Sequence, residues 1–329
     1  MFDLNLKSTA DWIASRKYNS VAIQLPEGLK ADALRISDEL HASTGANILI
    51  IGAPCYGACD VFTNFKDVAD ALVHFGHSSI PCLSNDEDVR FVEVRVDVDI
   101  GLVLKAILER LPERIGLLAT VQYVGLLPTT KEILERSGRK VFVGRGDRRI
   151  SYPGQVLGCN FSAAGSIEGD VDAFLYIGEG DFHPLAASFG IRKKMLVLNP
   201  ITGELRSMDE TRDRILRKRF ATIEKARSAG SFLIIICGKI GQNRADEADI
   251  MMETLRKAGK QAYKVILDEI SPDVLLPYRV DAYINTACPR IAMDDSARYS
   301  KPMLTLVEAE IVLGIREWDN YEFDSITNP

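Results

Sequence analysis

The chain has 329 residues, a length that suggests two or three domains of about 150 residues each. Its apolar and charged fractions, 47% and 26%, are typical of a globular protein with a sizeable core. The formal net charge of −6 argues against a broad nucleic-acid or membrane-surface interface, because those partners attract basic proteins.

The N-terminal residues alternate between polar and apolar, which argues against a signal peptide. The longest apolar runs, such as residues 232–237, are far shorter than the roughly 20 residues that span a bilayer. We therefore expect a cytoplasmic protein. Its six cysteines are then more often reduced thiols or metal ligands than disulfides.

Taken in chain order, the predicted elements repeat three times. Each unit begins with an apolar run, continues through a polar loop and a stretch of helical periodicity, and returns to a second apolar run. The first runs are residues 21–25, 115–121 and 232–237, and the second runs are residues 48–51, 141–143 and 262–266. Short strands that alternate with helices indicate βαβ units and a parallel sheet.

A third strand opens in each unit with aspartate, alanine and a large apolar residue, at residues 70–72, 172–174 and 281–283. A fourth strand follows near Phe91, Met195 and Met303, which lie 21, 23 and 22 residues after the aspartate. Any α/β protein places strands at similar intervals, but spacing this even favours three related units.

The sequence therefore predicts an α/β protein of three similar domains, at residues 1–105, 106–205 and 206–329. Each is expected to be a roughly four-stranded parallel sheet flanked by helices, and the three are expected to surround a pseudo-threefold axis. A charged stretch with helical periodicity, residues 208–227, is expected to join the second and third domains. Its charges are interpreted as a solvated face, with a docking surface as the alternative.

One cysteine of each predicted domain lies in a loop at the carboxyl end of a strand. These are Cys59, Cys159 and Cys288. Ligands of open α/β sheets bind at that edge, and a pseudo-threefold arrangement would bring the three loops together. A single such cysteine is more often a small buried apolar residue. The joint placement favours a shared metal site.

The other three cysteines fit a structural role better. Cys237 ends a continuous apolar strand, and Cys82 has no counterpart in the other units. Cys55 precedes Cys59 by four residues and is either a neighbour of the site or a substitute ligand.

Thiolate ligands select zinc or iron–sulfur clusters. Cys55 and Cys59 have the spacing of half a structural zinc site, but no second pair stands near. Three thiolates on a [4Fe–4S] cluster leave one iron open for a substrate. The motif of ordinary radical S-adenosylmethionine enzymes would place a third cysteine at position 62, where the chain has Phe62.

Other polar loops are predicted at the same edge, and their glycines would let a ligand approach the backbone. Turn and capping roles explain each of them about as well. Arg145, Arg148 and Arg149 form a basic cluster that is either a surface loop or a contact for a carboxylate or an acidic protein surface. The predicted substrate contacts are Gln24, Glu27, Gly28, His77, Gly178, Gln242 and Arg290. Catalytic residues beyond the metal site are not predicted.

A set of short motifs spread over nearly the whole length resembles the archaeal diphthamide-biosynthesis iron–sulfur enzymes, the 2-(3-amino-3-carboxypropyl)histidine synthases. The motifs are QLPEGL (24–29), GAPCYGACD (52–60), HFGHS (74–78), GCNFS (158–162), IGEGDFHP (177–184), GQNR (241–244) and NTACPRIAMDD (285–295).

This resemblance implies that the three cysteines hold one [4Fe–4S] cluster, whose open iron binds S-adenosylmethionine. It implies a radical transfer of the 3-amino-3-carboxypropyl group to C2 of a histidine in translation elongation factor 2, the first step of diphthamide biosynthesis. The expected by-product is 5′-methylthioadenosine. A homodimer and an unidentified electron donor are the further partners that it implies.

Two other interpretations stay open. Quinolinate synthase resembles the same plan of three α/β domains around a three-cysteine cluster, and it needs no S-adenosylmethionine. A non-catalytic, zinc-bearing scaffold or partner subunit is the second, and zinc without sulfide in anaerobically purified protein would favour it.

Overall fold

The structure, a computed structural model, describes residues 3–83, 86–293 and 296–327. Its first third contains α1 (Leu6–Arg16), β1 (Ser20–Gln24), α2 (Ala33–Thr44), β2 (Asn47–Ile51), β3 (Ala71–Phe75) and β4 (Val89–Val92). The middle third contains α3 (Ile100–Ile107), β5 (Arg114–Ala119), α4 (Leu127–Arg136), β6 (Lys140–Phe142), α5 (Ser162–Gly165), β7 (Ala173–Ile177), α6 (Phe182–Gly190), β8 (Lys194–Leu198) and β9 (Leu205–Ser207). The last third contains α7 (Asp209–Ala226), β10 (Ser231–Cys237), α8 (Ala245–Lys257), β11 (Gln261–Leu267), α9 (Pro272–Leu275), β12 (Ala282–Asn285), α10 (Arg290–Met293), β13 (Met303–Leu304) and α11 (Leu306–Val312).

The strands of the described residues form three sheets with the same internal order. In the first sheet this order is β2-β1-β3-β4, and in the third it is β11-β10-β12-β13. The second sheet, β6-β5-β7-β8-β9, adds one strand, because the short β9 pairs with β8 in the antiparallel direction. All the other pairs are parallel, so the predicted α/β class and the three-sheet plan are confirmed. The pseudo-threefold axis stays a prediction.

The aspartate that precedes the third strand of each unit has the same structural task in all three sheets. Asp70 accepts hydrogen bonds from the backbone N–H groups at the start of β1, 2.8 and 2.9 Å away. Asp172 accepts one from Arg114 N at the start of β5, at 3.0 Å. Asp281 accepts two near the start of β10, both at 2.9 Å. The repeated aspartate thus satisfies backbone donors that would otherwise lack partners at the start of these inner strands.

The central strands are apolar on both sides because buried apolar residues pack against both faces of each sheet. Residues 232–237 of β10, for example, are all buried. Such continuous apolar runs are typical of parallel strands inside α/β proteins. Helix α2 shows the matching one-sided pattern, since Ile36 and Leu40 are fully buried and Leu34 is exposed.

The domain boundaries near residues 105 and 205 stay predictions, but two helices show how the units join. Most of α3 lies before residue 105, yet its Ile100 and Leu104 are buried in the core of the second sheet. Helix α7 forms where a joining helix was expected. Its charges are not all solvated, because Arg219 is buried and pairs with buried Glu308 of α11.

Within the described ranges, none of the helices combines the length and apolarity that crossing a bilayer requires.

Candidate functional site

A cavity of about 390 Å³ lies where loops from the carboxyl edges of all three sheets meet. Cys59, Cys159 and Cys288 all line it, so the structure brings the three predicted loops together. The remaining wall is mainly apolar and glycine-rich, with a few polar groups that include His77, His183, Gln122, Gln242 and Arg290. A concave, largely apolar space with few convergent polar groups is typical of a small-molecule site.

Cys59 sits in a short 3₁₀ turn, Ala58–Asp60, eight residues after the end of β2. Gln242 of the third unit donates a hydrogen bond from its Nε2 to the Cys59 Sγ, at 3.3 Å. The neighbouring Gly241 packs directly on the cysteine, since a Cβ at position 241 would lie 2.4 Å from the Cβ of Cys59. Glycine is therefore required for this contact between the first and third units.

Cys159 comes from the long loop between β6 and β7 and is buried. Two arginines act to lower the pKa of the Cys159 thiol. Arg149 does so through its positive charge and a hydrogen bond, and Arg244 does so through its positive charge. Arg149 is itself buried and donates from Nη2 to Gly241 O at 3.0 Å. The interpretation of the basic cluster as a surface loop is therefore wrong for Arg149. Its side chain is buried and links the second and third units.

Cys288 follows β12 directly, as predicted. Asn285, the last residue of the strand, is buried and donates from Nδ2 to Cys288 O at 2.9 Å, which holds the turn between β12 and α10. The side chain of Arg290 stacks over the ring of Phe182, with its guanidinium carbon 3.9 Å from the ring centroid. This cation lies in the wall of the cavity.

The three thiols share an environment that disfavours negative charge. Burial raises the pKa of Cys59 well above its usual range, and the charges of Asp60 and the other two thiolates add to the shift. Burial and the charge of Cys159 raise the pKa of Cys288 to about 12. Burial also raises the pKa of Cys159, although Arg149 offsets part of the shift. Without a bound cation these thiols stay protonated, and a metal centre that replaces the protons would relieve their mutual repulsion.

Asp60, next to Cys59, is a buried carboxylate that the sequence analysis did not single out. Its Oδ1 lies 2.9 Å from Lys239 Nζ and accepts from Gln242 Nε2 at 3.2 Å. Its Oδ2 accepts from Tyr56 N at 2.7 Å. Lys239 also pairs with Glu269, at 2.7 Å. Residue 60 thus ties the Cys59 turn to the third unit, through partners some 180 residues away in the sequence.

A chain of hydrogen bonds runs from Gln24 to His77 and fixes the orientation of each group. Phe62 N donates to Gln24 Oε1 at 3.1 Å, and Gln24 Nε2 donates to Asp60 O at 2.7 Å. His74 Nδ1, 3.0 Å from the same Oε1, must then be the donor. In neutral His74 this leaves Nε2 to accept from His77 Nδ1, 2.9 Å away. His77 lies in the cavity wall, and its ring also hydrogen-bonds the backbone of Phe75.

Burial keeps His74 and His77, the two histidines of this hydrogen-bond network, neutral. It lowers the pKa of His74 well below its usual range, with His77 as a second cause, and it lowers the pKa of His77 to about 4. Cys55 also lies here, with its Sγ 4.0 Å from His74 Nε2. Cys55, His74 and His77 could together offer three metal-ligand atoms. The histidine pair is already explained by its hydrogen bonds, and Cys55 is a neighbour of the cavity that does not line it.

The sequence matches the family described as putative diphthamide synthesis protein over residues 25–323. The chain belongs to this family. It is 38% identical to the 2-(3-amino-3-carboxypropyl)histidine synthase of Pyrococcus horikoshii, over 93% of this chain and 88% of that protein. It is 31% identical to subunit 1 of the same synthase from Schizosaccharomyces pombe, over 99% of this chain and 78% of the relative.

A solved structure of the diphthamide synthesis family has the same fold. The crystal structure of Dph2 from Pyrococcus horikoshii with a 4Fe-4S cluster superposes with a TM-score of 0.91 at 36% identity, covering 99% of this chain and 95% of the other. The predicted family and the predicted fold class are thereby confirmed.

Within this family member, the predicted substrate contacts separate into two groups. Those that line the cavity are Gly28, His77, Gln242 and Arg290, and those outside its lining are Gln24, Glu27 and Gly178. Gln24 is buried and holds the Cys59 turn, as described above. Glu27 is exposed and pairs with Lys30 at 2.6 Å. Gly178 has a φ of 155°, and a Cβ there would lie 2.9 Å from the Tyr176 hydroxyl oxygen.

The remaining cysteines are placed apart from the cavity. Cys237 is buried at the end of β10, and Cys82 lies in a turn; neither appears in the cavity wall. His183, by contrast, does line the cavity, and burial, with Arg290 as the next cause, lowers its pKa to about 3. The motif IGEGDFHP that contains it was noted in the sequence, but nothing there distinguished this histidine from a capping residue.

Proposed function

We propose that Cys59, Cys159 and Cys288 hold one [4Fe–4S] cluster. The support is their joint position in a single cavity, one from each sheet. A relative of 36% identity and nearly equal length has a 4Fe-4S cluster in its crystal structure. The donor set fits the group, because three thiolates match a cluster that keeps one iron open, and the remaining cysteines lie outside the wall of the cavity.

The surroundings of the thiolates also suit a cluster. Gln242 donates to one cysteine sulfur, and Arg149 hydrogen-bonds another, contacts of the kind that tune an iron–sulfur centre. When bound, the cluster would supply one electron and an open coordination position for a substrate. The protein contributes positioning, charge compensation and exclusion of water from a cavity walled mostly by apolar groups.

We further propose that the chain transfers the 3-amino-3-carboxypropyl group of S-adenosylmethionine to C2 of a histidine in translation elongation factor 2. The bond from sulfur to the γ-carbon breaks on receipt of one electron, and 5′-methylthioadenosine leaves. The new bond forms at imidazole C2, which then loses a proton and gives up one electron, so the transfer is redox-neutral overall. The relatives named 2-(3-amino-3-carboxypropyl)histidine synthase support this assignment. Imidazole C2 is a poor nucleophile, which favours a radical route over simple base catalysis.

Side chains of the cavity have roles in this proposal. Arg290, whose guanidinium lies over the ring of Phe182, suits the methionine carboxylate. The imidazole of His77, in the wall of the cavity, suits a polar group of the substrate. At Gly28 nothing lies within 4 Å of the position that a Cβ would occupy, which leaves room for the ligand to approach the backbone.

The proposal also covers the cellular compartment, the oligomeric state and the partners of the chain. We propose that it acts in the cytoplasm, as a homodimer, with an electron donor still to be identified. Elongation factor 2 is its protein substrate, and no nucleic acid or membrane takes part.

The experiment that tests the cluster assignment replaces each of the three cysteines by alanine in protein purified without oxygen. We expect each change to abolish the cluster, measured as iron and acid-labile sulfide. Cys82→Ala is the matched control and is expected to keep the full content. A cluster that survives loss of Cys59, Cys159 or Cys288 would contradict the assignment.

The experiment that tests the reaction incubates the reduced protein with elongation factor 2 and S-adenosylmethionine. We expect a mass increase on one histidine of the factor and release of 5′-methylthioadenosine, both dependent on S-adenosylmethionine. A cluster-bearing protein that modifies nothing under these conditions would favour chemistry of the quinolinate synthase type. Zinc in place of iron and sulfide would favour the scaffold interpretation.

A further inference from the structure

Residues 321–327 follow the last helix of the third unit and run back to the loops that carry two of the three cysteines. This segment has no regular secondary structure, yet Phe323, Asp324 and Ile326 in it are all buried. Irregular segments usually lie on the surface, because their backbone groups need water as a partner. A buried one therefore requires specific contacts.

The first set of contacts joins the segment to the Cys159 loop. Ile326 N donates to the carbonyl oxygen of Cys159 itself, at 2.8 Å. Asn160, the next residue, returns the contact by donating from Nδ2 to Ile326 O at 3.0 Å. Asn160 is fully buried, and its Nδ2 also donates to Asp147, at 2.7 Å. Ile326 thus binds the Cys159 carbonyl through its N–H and the neighbouring Asn160 side chain through its own carbonyl.

The second set joins the segment to the Cys288 loop through Arg244. Arg244 Nη1 and Nη2 each donate to one carboxylate oxygen of Asp324, both at 2.7 Å. The same guanidinium donates to the two carbonyls that precede Cys288, those of Thr286 at 2.7 Å and Ala287 at 3.3 Å. Both charged groups are 6% exposed. A bidentate pair of this kind is strong and geometrically specific.

Aromatic packing adds a third link between the same two loops. The ring of Phe323 lies 5.7 Å from that of Phe161, two residues after Cys159, and 5.9 Å from that of Phe189 in α6. Phe323 also packs in one cluster with Met293 of α10, the helix that follows Cys288. Phe323 therefore fills the space between the second and third units.

We propose that segment 321–327 fixes the Cys159 and Cys288 loops at the separation that a cluster shared between them requires, with Asp324 and Ile326 as positioning residues. The proposal rests on the cluster assignment above. Cys59 is held separately, by Gln24 and Gln242, so the segment positions two of the three ligands.

Asp324 has an electrostatic effect in addition to its geometric one. It neutralises Arg244, whose positive charge reaches Cys159. Loss of the Asp324 charge leaves one more uncompensated cation near the cluster, which favours the reduced, more negative state. The midpoint potential should then move in the positive direction. A residue that only stabilised the fold would not produce this shift.

The test compares the wild-type chain with Asp324→Asn, Asp324→Glu and Ile326→Pro, all purified without oxygen. The first change removes the charge, and the third removes the N–H that Cys159 O accepts. Glu322→Gln is the matched control, because Glu322 belongs to the same segment but is 74% exposed and pairs only loosely with Arg316, at 3.7 Å. The readouts are the rate of iron release to a chelator, the electron paramagnetic resonance spectrum and the midpoint potential.

We expect iron release to be about tenfold faster for Asp324→Asn and for Ile326→Pro, as the loss of one well-placed hydrogen bond would give. Asp324→Asn should also shift the potential positively, and Asp324→Glu should restore both values in part. Circular dichroism of the cluster-free proteins checks folding, and the two aspartate variants decide the matter if Ile326→Pro does not fold. Wild-type release rates and potential in Asp324→Asn would overturn the proposal. A wild-type chain without any cluster would instead refute the cluster assignment.

Discussion

The buried pair of Arg219 and Glu308 gives the sharpest prediction about stability. Arg219 Nε donates to Glu308 Oε1 at 2.7 Å, and Nη2 donates to Oε2 at 2.5 Å. Its remaining donors reach two backbone carbonyls, those of Ala292 and Met303, both at 2.6 Å. Arg219 therefore connects α7 to α10 and to the last strand of the third sheet. Since α10 follows Cys288, this pair also supports the site.

Replacing Arg219 by methionine keeps much of the apolar stem but leaves the Glu308 carboxylate buried without its cation. Among the described residues, Thr305 N, at 2.9 Å, and the Tyr321 hydroxyl, at 3.2 Å, would remain as its partners. Breaking a buried ion pair in this way costs about 3–5 kcal/mol of unfolding free energy. Adding Glu308→Gln to the variant removes the stranded charge, so the double variant should recover at least about 1 kcal/mol.

Denaturant titration followed by the fluorescence of Trp318 measures these changes locally. The chain has two tryptophans, and Trp12→Phe leaves Trp318 as the single reporter. Its ring centroid is 4.9 Å from that of Tyr321, next to the buried pair. A loss below about 1 kcal/mol in Arg219→Met, the level of an exposed ion pair, would refute the reasoning. A double variant no more stable than the single one would refute it as well.

Three other predictions concern the walls of the cavity. Gly241→Ala should displace Cys59 and lower the iron content of the protein. Gly28→Ala is the control, because its new methyl group meets nothing within 4 Å, and it should keep the iron content. Equal iron content in both variants would contradict the close contact between Gly241 and Cys59. Gln24→Leu should cost about 1–3 kcal/mol of unfolding free energy because it leaves the Cys59 turn with unpaired buried groups, and an unchanged denaturation midpoint would argue against that role. Cluster-free protein should lose stability as the pH falls from about 6.5 toward 4, because the unfolded chain binds protons that the buried His74, His77 and His183 do not. His77→Gln should reduce this slope by up to about 1.4 kcal/mol per pH unit, and an unchanged slope would exclude a contribution from His77.

The repeat in the sequence predicted much of the fold because it reflects local requirements that recur in each unit. The aspartate before each third strand was visible as a spacing, and the structure explains it as a partner for backbone donors at the start of the inner strands. The alternation of strands and helices is likewise local. The short antiparallel β9 was missed, because the residues that form it carry no strand periodicity.

The meeting of the three cysteine loops could also be anticipated, since the carboxyl ends of parallel strands are predictable from the order of the elements. The charged groups around them could not. Arg149, Arg244 and Asp324 look like ordinary surface charges in the sequence, and their burial depends on partners 42 to 92 residues away. Gln24 was expected to contact substrate, but its amide is used inside the protein, a choice that only the packing of the Cys59 turn reveals.

The measurement that tests the central claim most directly is the iron and acid-labile sulfide content of protein purified without oxygen, with an electron paramagnetic resonance spectrum after reduction by dithionite. The account predicts about four irons and four sulfides per chain, the composition of one [4Fe–4S] cluster, and a reduced-cluster signal that changes when S-adenosylmethionine is added. Zinc or no metal at Cys59, Cys159 and Cys288 would contradict it, and the proposed reaction would fall with the cluster.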